Sequence, residues 1–218
     1  MKNIIAINAS PRVNWNTSQL VKQVAQGAEE QGAHVKIVDL YKLEKFTGCI
    51  SCFGCKTKEH VGVCVCKDGL YSVLQDINNA DGLVIGTPNY LGDISAGCRA
   101  LYERLIFQSL TYKKEFQSYN KNKIPVLFIM TSNASKEFYP AIGYDKMLED
   151  YRQSLSAFVG PTKVFVADDT LQVNDYDKYN WTMFDSQSKI LRNKTVFPEQ
   201  LKQAFELGKQ MVKNPWQE

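Results

Sequence analysis

The chain of 218 residues lacks several features that would assign it at once. No long apolar run is present. The opening "MKNIIAINASPR" holds an apolar stretch of only four or five residues before polar ones follow. That reads as a buried strand, too short for a signal peptide or a membrane span, so the expectation is a cytoplasmic chain with no membrane partner. There is no run of basic residues and the formal net charge is only +3, which leaves nucleic-acid binding without support. Repeats, low-complexity tracts and interdomain linkers are absent. The acidic residues scatter over helical faces and form no catalytic pair, so hydrolysis has no support. Neither Gly-Lys-Ser/Thr nor G-x-G-x-x-G occurs, which removes the P-loop and the common dinucleotide turn.

What is present is an alternating pattern. "NIIAINA" (3–9), "HVKIVDL" (34–40), "DGLVIGTP" (81–88), "IPVLFIMTS" (124–132) and "TKVFVADD" (162–169) read as strands. Between and after them, residues 17–32, 69–80, 95–107, 144–160 and 198–214 carry helical periodicity. Strict βα alternation predicts an α/β protein: a doubly wound five-stranded parallel sheet of flavodoxin-like order 2-1-3-4-5. Ligands of such sheets bind beyond the carboxyl ends of the strands. Two segments are too long for plain connections, residues 42–68 and 170–197. The expected organisation is one domain over 1–169, including the cysteine loop 42–68, with 170–218 as its C-terminal extension and last helix.

The first βα turn, "NASPRVNWNTSQL" (8–20), gathers Ser10, Arg12, Asn16, Thr17 and Ser18 between a strand end and a helix start. Hydroxyl and amide donors beside the free N–H groups of a first helical turn suit a phosphate monoester. A plainer reading keeps Asn16 or Thr17 only as a helix cap. In "TPNYLGDISAG" (87–97), Pro88 stiffens a turn, Gly86 and Gly92 allow close approach to a flat ring, and Tyr90 offers an aromatic face. Cys98 shares a helical face with Leu101, Tyr102 and Leu105 and reads as a core thiol.

Together "SPRVNWNTS", "TPNYLGDISAGCRALYERL" and "GCISCFGC…GVCVCKDGL" resemble the NADPH-dependent FMN reductase and iron-sulfur flavoprotein families. The tail "DTLQVNDYDKY…FPEQLKQAFELGKQM" is similar to their C-terminal segment. The resemblance implies that Ser10, Arg12, Asn16, Thr17 and Ser18 bind the FMN phosphate. It implies that Pro88, Asn89, Tyr90, Leu91 and Gly92 line the isoalloxazine, and that Thr131, Ser132 and Asn133 complete the ring site. Many relatives have Gly where this chain has Trp15, a ring suited to covering the ribityl chain or to docking on a second subunit. The implied activity is an FMN-dependent oxidoreductase. It would take electrons from NAD(P)H or a redox protein and pass them to a small-molecule or redox-protein acceptor. Tyr176, Tyr179, Trp181 and Phe184 suggest a contact between subunits of a homodimer or homotetramer, or a fold-back on their own domain. A non-catalytic flavodoxin-like binding or regulatory module stays open, since fold does not fix function.

Five of the six cysteines lie in "GCISCFGCKTKEHVGVCVC" (48–66). Four readings of them remain open. Cys49, Cys52, Cys55 and Cys64 suit a [4Fe–4S] cluster, though the gap before Cys64 is longer than in cluster-binding relatives. Three cysteines with His60 or Cys64 would suit zinc. Cys52 with Cys55, or Cys64 with Cys66, would suit a redox dithiol. Free thiols packing the flavin edge with Ile50 and Phe53 are the fourth.

Overall fold

The structure, a computed structural model, describes residues 1–115 and 118–216. Its central strands are β1 (Asn3–Asn8), β3 (Gly82–Tyr90) and β5 (Val126–Thr131), and all but their outermost residues are buried. Their continuous Ile, Val and Leu runs are the pattern of strands covered on both faces. β2 (His34–Asp39) and β6 (Thr162–Ala167) are more exposed and form the edges. The parallel order is β2-β1-β3-β5-β6, with β4 (Asp93–Ile94) hanging antiparallel from β3. With that hairpin set aside, the order is the expected 2-1-3-4-5.

Helices α1 (Asn16–Glu30) and α7 (Phe197–Lys213) cover one face through Leu20, Val21, Val24, Ala204 and Met211. On the other face lie α2 (Tyr71–Asn78), α3 (Ala96–Ser109) and α5 (Tyr144–Phe158), packed through Leu74, Leu101, Leu105 and Leu155. Two helices were not anticipated. The short α4 (Tyr139–Ile142) precedes α5. Helix α6 (Ser186–Thr195) lies inside the segment read as a long loop. Its start is marked by Asp185, whose carboxylate accepts from the Gln187 and Ser188 amides. Its apolar pattern is thin, since Ile190 and Leu191 both face solvent, so periodicity gave no signal there.

α1 and α7 touch backbone to backbone. A Cβ at Gly27 would lie 1.9 Å from the Phe205 carbonyl oxygen, and one at Gly208 would lie 2.1 Å from that of Val24. Alanine at either site gains about 1 kcal/mol of helix propensity, but forcing the backbones apart costs ~1–3 kcal/mol or more. Gly27→Ala and Gly208→Ala are each expected to lower the urea midpoint. Unchanged midpoints would mean that the helices can separate freely.

Candidate functional site

The carboxyl ends of β1, β3, β5 and β6 open into one cleft. Its inner part has a volume of about 270 Å³, with Ser10, Arg12, Asn16 and Thr17 on one side and Asn89, Thr131 and Asn133 among the residues opposite. The first turn is held by its own polar side chains. Asn8 donates to Asp39 at 2.8 Å and accepts from the Ser10 amide at 3.2 Å, while Ser10 Oγ accepts from the Arg12 amide at 3.1 Å. Trp15 occupies the cap position of α1, and no side chain caps that helix. Asn16 and Thr17 are therefore not its caps, which removes the plainer reading of the turn. The end of α1 retains donor capacity and the positive end of its dipole toward the cleft.

The side chains of this turn are already engaged. Thr17 Oγ1 meets Thr131 Oγ1 at 2.7 Å, tying the loops after β1 and β5 together. Ser18 donates to the Val13 carbonyl within the turn, and Ser18 does not line the cavity. Asn16 and Trp15 both donate to the Leu171 carbonyl, at 2.8 and 3.1 Å, and Arg12 donates to that of Gln172 at 2.7 Å. The Arg12 guanidinium lies 3.9 Å from the centre of the Trp15 ring. Burial lowers the Arg12 pKa, while Tyr90 and Tyr179 act in the opposite sense.

The β3–β4 hairpin turns on Leu91 and Gly92 alone, with φ of 55° and 83°. Two left-handed residues are what a type I′ turn requires, and a leucine there is strained. Leu91 is fully exposed. Asn89 Oδ1 accepts from the Gly92 amide at 3.0 Å, but its buried Nδ2 has no partner among the described residues. The buried Oδ1 of Asn133 and Oε1 of Gln172 are also unpartnered. All three residues line the inner cleft.

A larger outer cavity of about 570 Å³ adjoins it and shares Asn89 and Asn133. Leu91, Ser132, Phe138, Tyr144 and Lys189 line it. Lys189, from α6, is buried, donates to the Asn133 carbonyl at 2.8 Å and pairs with Asp169. Pro88, Tyr90 and Thr131 face the inner cavity, whereas Gly92 lines neither. Sequence reasoning missed the contribution of Thr170 to Val173. The available signal was their place just past β6, at the ligand-binding edge of the sheet. The tail aromatics pack on one another in the same chain: Tyr179 stacks on Trp181 at 4.6 Å, and Trp181 meets Tyr176 at 5.9 Å and Phe184 at 5.8 Å. Trp181 also reaches the inner cleft.

The cysteine loop lies against α3, away from these two cavities. Cys49, Cys52, Cys55, Cys64 and Cys66 line a single narrow cavity of about 20 Å³, together with Phe53, Arg104 and Phe107. The loop turns through left-handed Ser51 and Phe53, with φ of 51° and 56°. A side chain at Gly54 would strike Val65 Cγ2 at 2.3 Å. Lys56 fastens the loop to the last carbonyls of α3, donating to Leu110 O at 2.6 Å. Burial pushes the Cys55 thiol up, opposed by Lys56. Among the described residues, all six thiols are free and no three His, Cys, Asp or Glu side chains are arranged to hold a metal ion. Cys98 is buried in the core, and burial pushes its thiol up to about 12.

A parallel sheet of this order, with a cleft at its switch point, defines a flavodoxin-like fold. The sequence profile of the NADPH-dependent FMN reductases matches residues 2–162. The chain belongs to that family. An iron-sulfur flavoprotein of Methanocaldococcus jannaschii is 33% identical over 101 residues, 46% of this chain and 50% of that protein. One from Archaeoglobus fulgidus is 33% identical over 103 residues, covering 46% and 47%. The chain thus spans about half the length of the curated relatives it matches. An NAD(P)H:quinone oxidoreductase of Methanothermobacter marburgensis shares the fold with a TM-score of 0.71 at 12% identity, covering 99% of both chains. An FMN-dependent NADH-azoreductase of Bacillus anthracis, solved with FMN, gives a TM-score of 0.67 at 15% identity and covers 98% of this chain and 100% of its own. No helix among the described residues is long and apolar enough to cross a membrane.

Proposed function

We propose that the chain is an FMN-dependent oxidoreductase that takes electrons from NAD(P)H and passes them to a small-molecule or redox-protein acceptor. The observation that carries this reading is the set of unpartnered polar atoms in the cleft. Asn89 Nδ2 is a donor and Asn133 Oδ1 an acceptor, both buried. The pyrimidine edge of an isoalloxazine presents carbonyl oxygens beside an N–H, which is the complementary pair. Buried polar atoms without partners are rare and call for an explanation. Family membership supports the same ligand.

Under this reading the end of α1, with Ser10, Arg12, Asn16 and Thr17, binds the phosphate, and Tyr90 and Trp181 cover the cleft. Bound FMN supplies hydride and electron chemistry, so no side-chain acid or base is required. The outer cavity is of a size to take a second small molecule beside the ring. Denaturing the purified protein should release flavin fluorescence, and anaerobic NADPH or NADH should bleach the bound flavin. Absence of flavin together with no uptake of added FMN would leave a non-catalytic module. Asn89→Leu and Asn133→Leu should weaken FMN and riboflavin alike by ~1–3 kcal/mol each, about five- to a hundredfold. An undiminished affinity for both ligands would place the ring elsewhere.

A second reading is added by the five thiols around one cavity and by relatives called iron-sulfur flavoproteins. Cys49, Cys52, Cys55 and Cys64 would hold a [4Fe–4S] cluster, making the chain an electron carrier. The donor set suits the group: a cubane needs four thiolates around it. The cavity as it stands has room for little more than a water, so loading is coupled to rearrangement of the loop, as is common for metal sites. The cluster would supply one-electron transfer.

A further inference from the structure

Arg104 lies in α3 between the turns of Leu101 and Leu105, and its side chain is 1% exposed. A charge so deeply buried requires compensation. Nη1 donates to both carboxylate oxygens of Asp68, at 2.6 and 2.7 Å, and Nη2 donates to the Cys66 carbonyl at 2.8 Å. These bonds hold the chain just after Cys64 against α3. Among the described residues the Nε–H has no hydrogen-bond partner. Arg104 also lines the cavity that the five thiols share. Burial alone would lower its pKa, but Asp68 and then the Cys64 sulfur outweigh burial and raise it. Burial likewise raises the Asp68 pKa, and the Arg104 hydrogen bond with the Thr47 and Leu70 amides brings it below the usual range. Cys66 Sγ is turned to Asp68 at 4.0 Å, and Cys64 and Cys66 both line the cavity that Arg104 lines.

We propose that Arg104 is a positioning residue for the cysteine cage: it clamps the Cys64–Asp68 arm onto α3 and offers its spare N–H to the sulfur charge gathered there. This rests on the cluster reading given above. A desolvated, charged donor acts strongly on a neighbouring anion. Partners of this kind set metal retention and redox potential. The bland role, a structural ion pair with Asp68 alone, needs neither the open Nε–H nor the shared cavity.

The test uses anaerobically reconstituted protein and two variants. Arg104→Lys keeps the charge but loses the fork and the Nε–H. The double variant Arg104→Gln/Asp68→Asn removes both buried charges together, so that no unpaired ion compromises folding. Iron release to a chelator and the reduction potential from a redox titration are read, with FMN content as the folding control. At undiminished FMN content, both variants should release iron at least about tenfold faster, and both potentials should shift lower. Release rates and potentials equal to wild type would overturn the role of Arg104 while the cluster stands. Wild type that takes up no iron and sulfide would overturn the cluster reading and this proposal with it.

Discussion

Serine in place of Cys49, Cys52, Cys55 or Cys64 is expected to empty the anaerobically prepared protein of most of its iron. Wild type should then hold about four irons per chain. An iron that loses its protein thiolate is open to water and to loss, so a cluster does not survive as three quarters of itself. Cys98→Ser should keep the iron, because that thiol is buried in the core between sheet and α3. Cys66→Ser should keep it too. Cys66 lines the same cavity but its sulfur faces Asp68. Iron and sulfide assays decide the matter. Full FMN with no iron or sulfide in wild type would reduce the loop to free thiols. Protection of one cysteine pair from alkylation after oxidation, without iron, would make it a redox dithiol.

The second large effect falls on the end of the cleft proposed to hold the phosphate. Arg12→Ala and Thr17→Val are each expected to weaken FMN by ~1.5–3 kcal/mol, roughly ten- to a hundredfold. Riboflavin, which lacks the phosphate, should lose far less. Arg12 also donates to the Gln172 carbonyl, and Thr17 meets Thr131, so some loss common to both ligands is expected. The difference between the ligands isolates the phosphate. Equal losses, measured by fluorescence quenching on titration, would show that these side chains only hold the loops together.

The sheet order and both faces of the core were legible because buried strands write themselves as Val and Ile runs, and α1, α5 and α7 carry strong apolar stripes. The β3–β4 hairpin was not legible. Its turn is Leu91-Gly92, and leucine is a poor advertisement for a left-handed residue. Helix α6 was hidden for another reason: its stability comes from the Asp185 cap and from Lys189 and Arg192 bonded to Asp168 and Asp169, long-range pairs that leave no periodic trace. The loops proposed to hold the flavin stood out in sequence because each follows a strand end. Eleven of the thirteen residues assigned to them line one of the two adjoining cavities; Ser18 and Gly92 do not. The convergence of five thiols on one cavity was beyond local spacing, since Cys64 is held to α3 by the hydrogen bond from its amide to Gln108 and Cys66 by Arg104. That arginine had left a hint: a lone charge in the apolar stripe Cys98, Leu101, Leu105.

The bonds from Arg12, Trp15 and Asn16 to the carbonyls of Leu171 and Gln172 join positions 155 to 160 residues apart. A ribosome releases the first βα turn early and the segment that covers it late. Until β6 and the segment behind it have emerged, the turn has no far wall. Contacts of such sequence separation form slowly, and domains of this size commonly pass through incomplete states during synthesis. Cofactor capture is therefore a late event in the life of a newly made chain, and a chain cut short before Leu171 would keep most of its sheet yet lack a finished cleft.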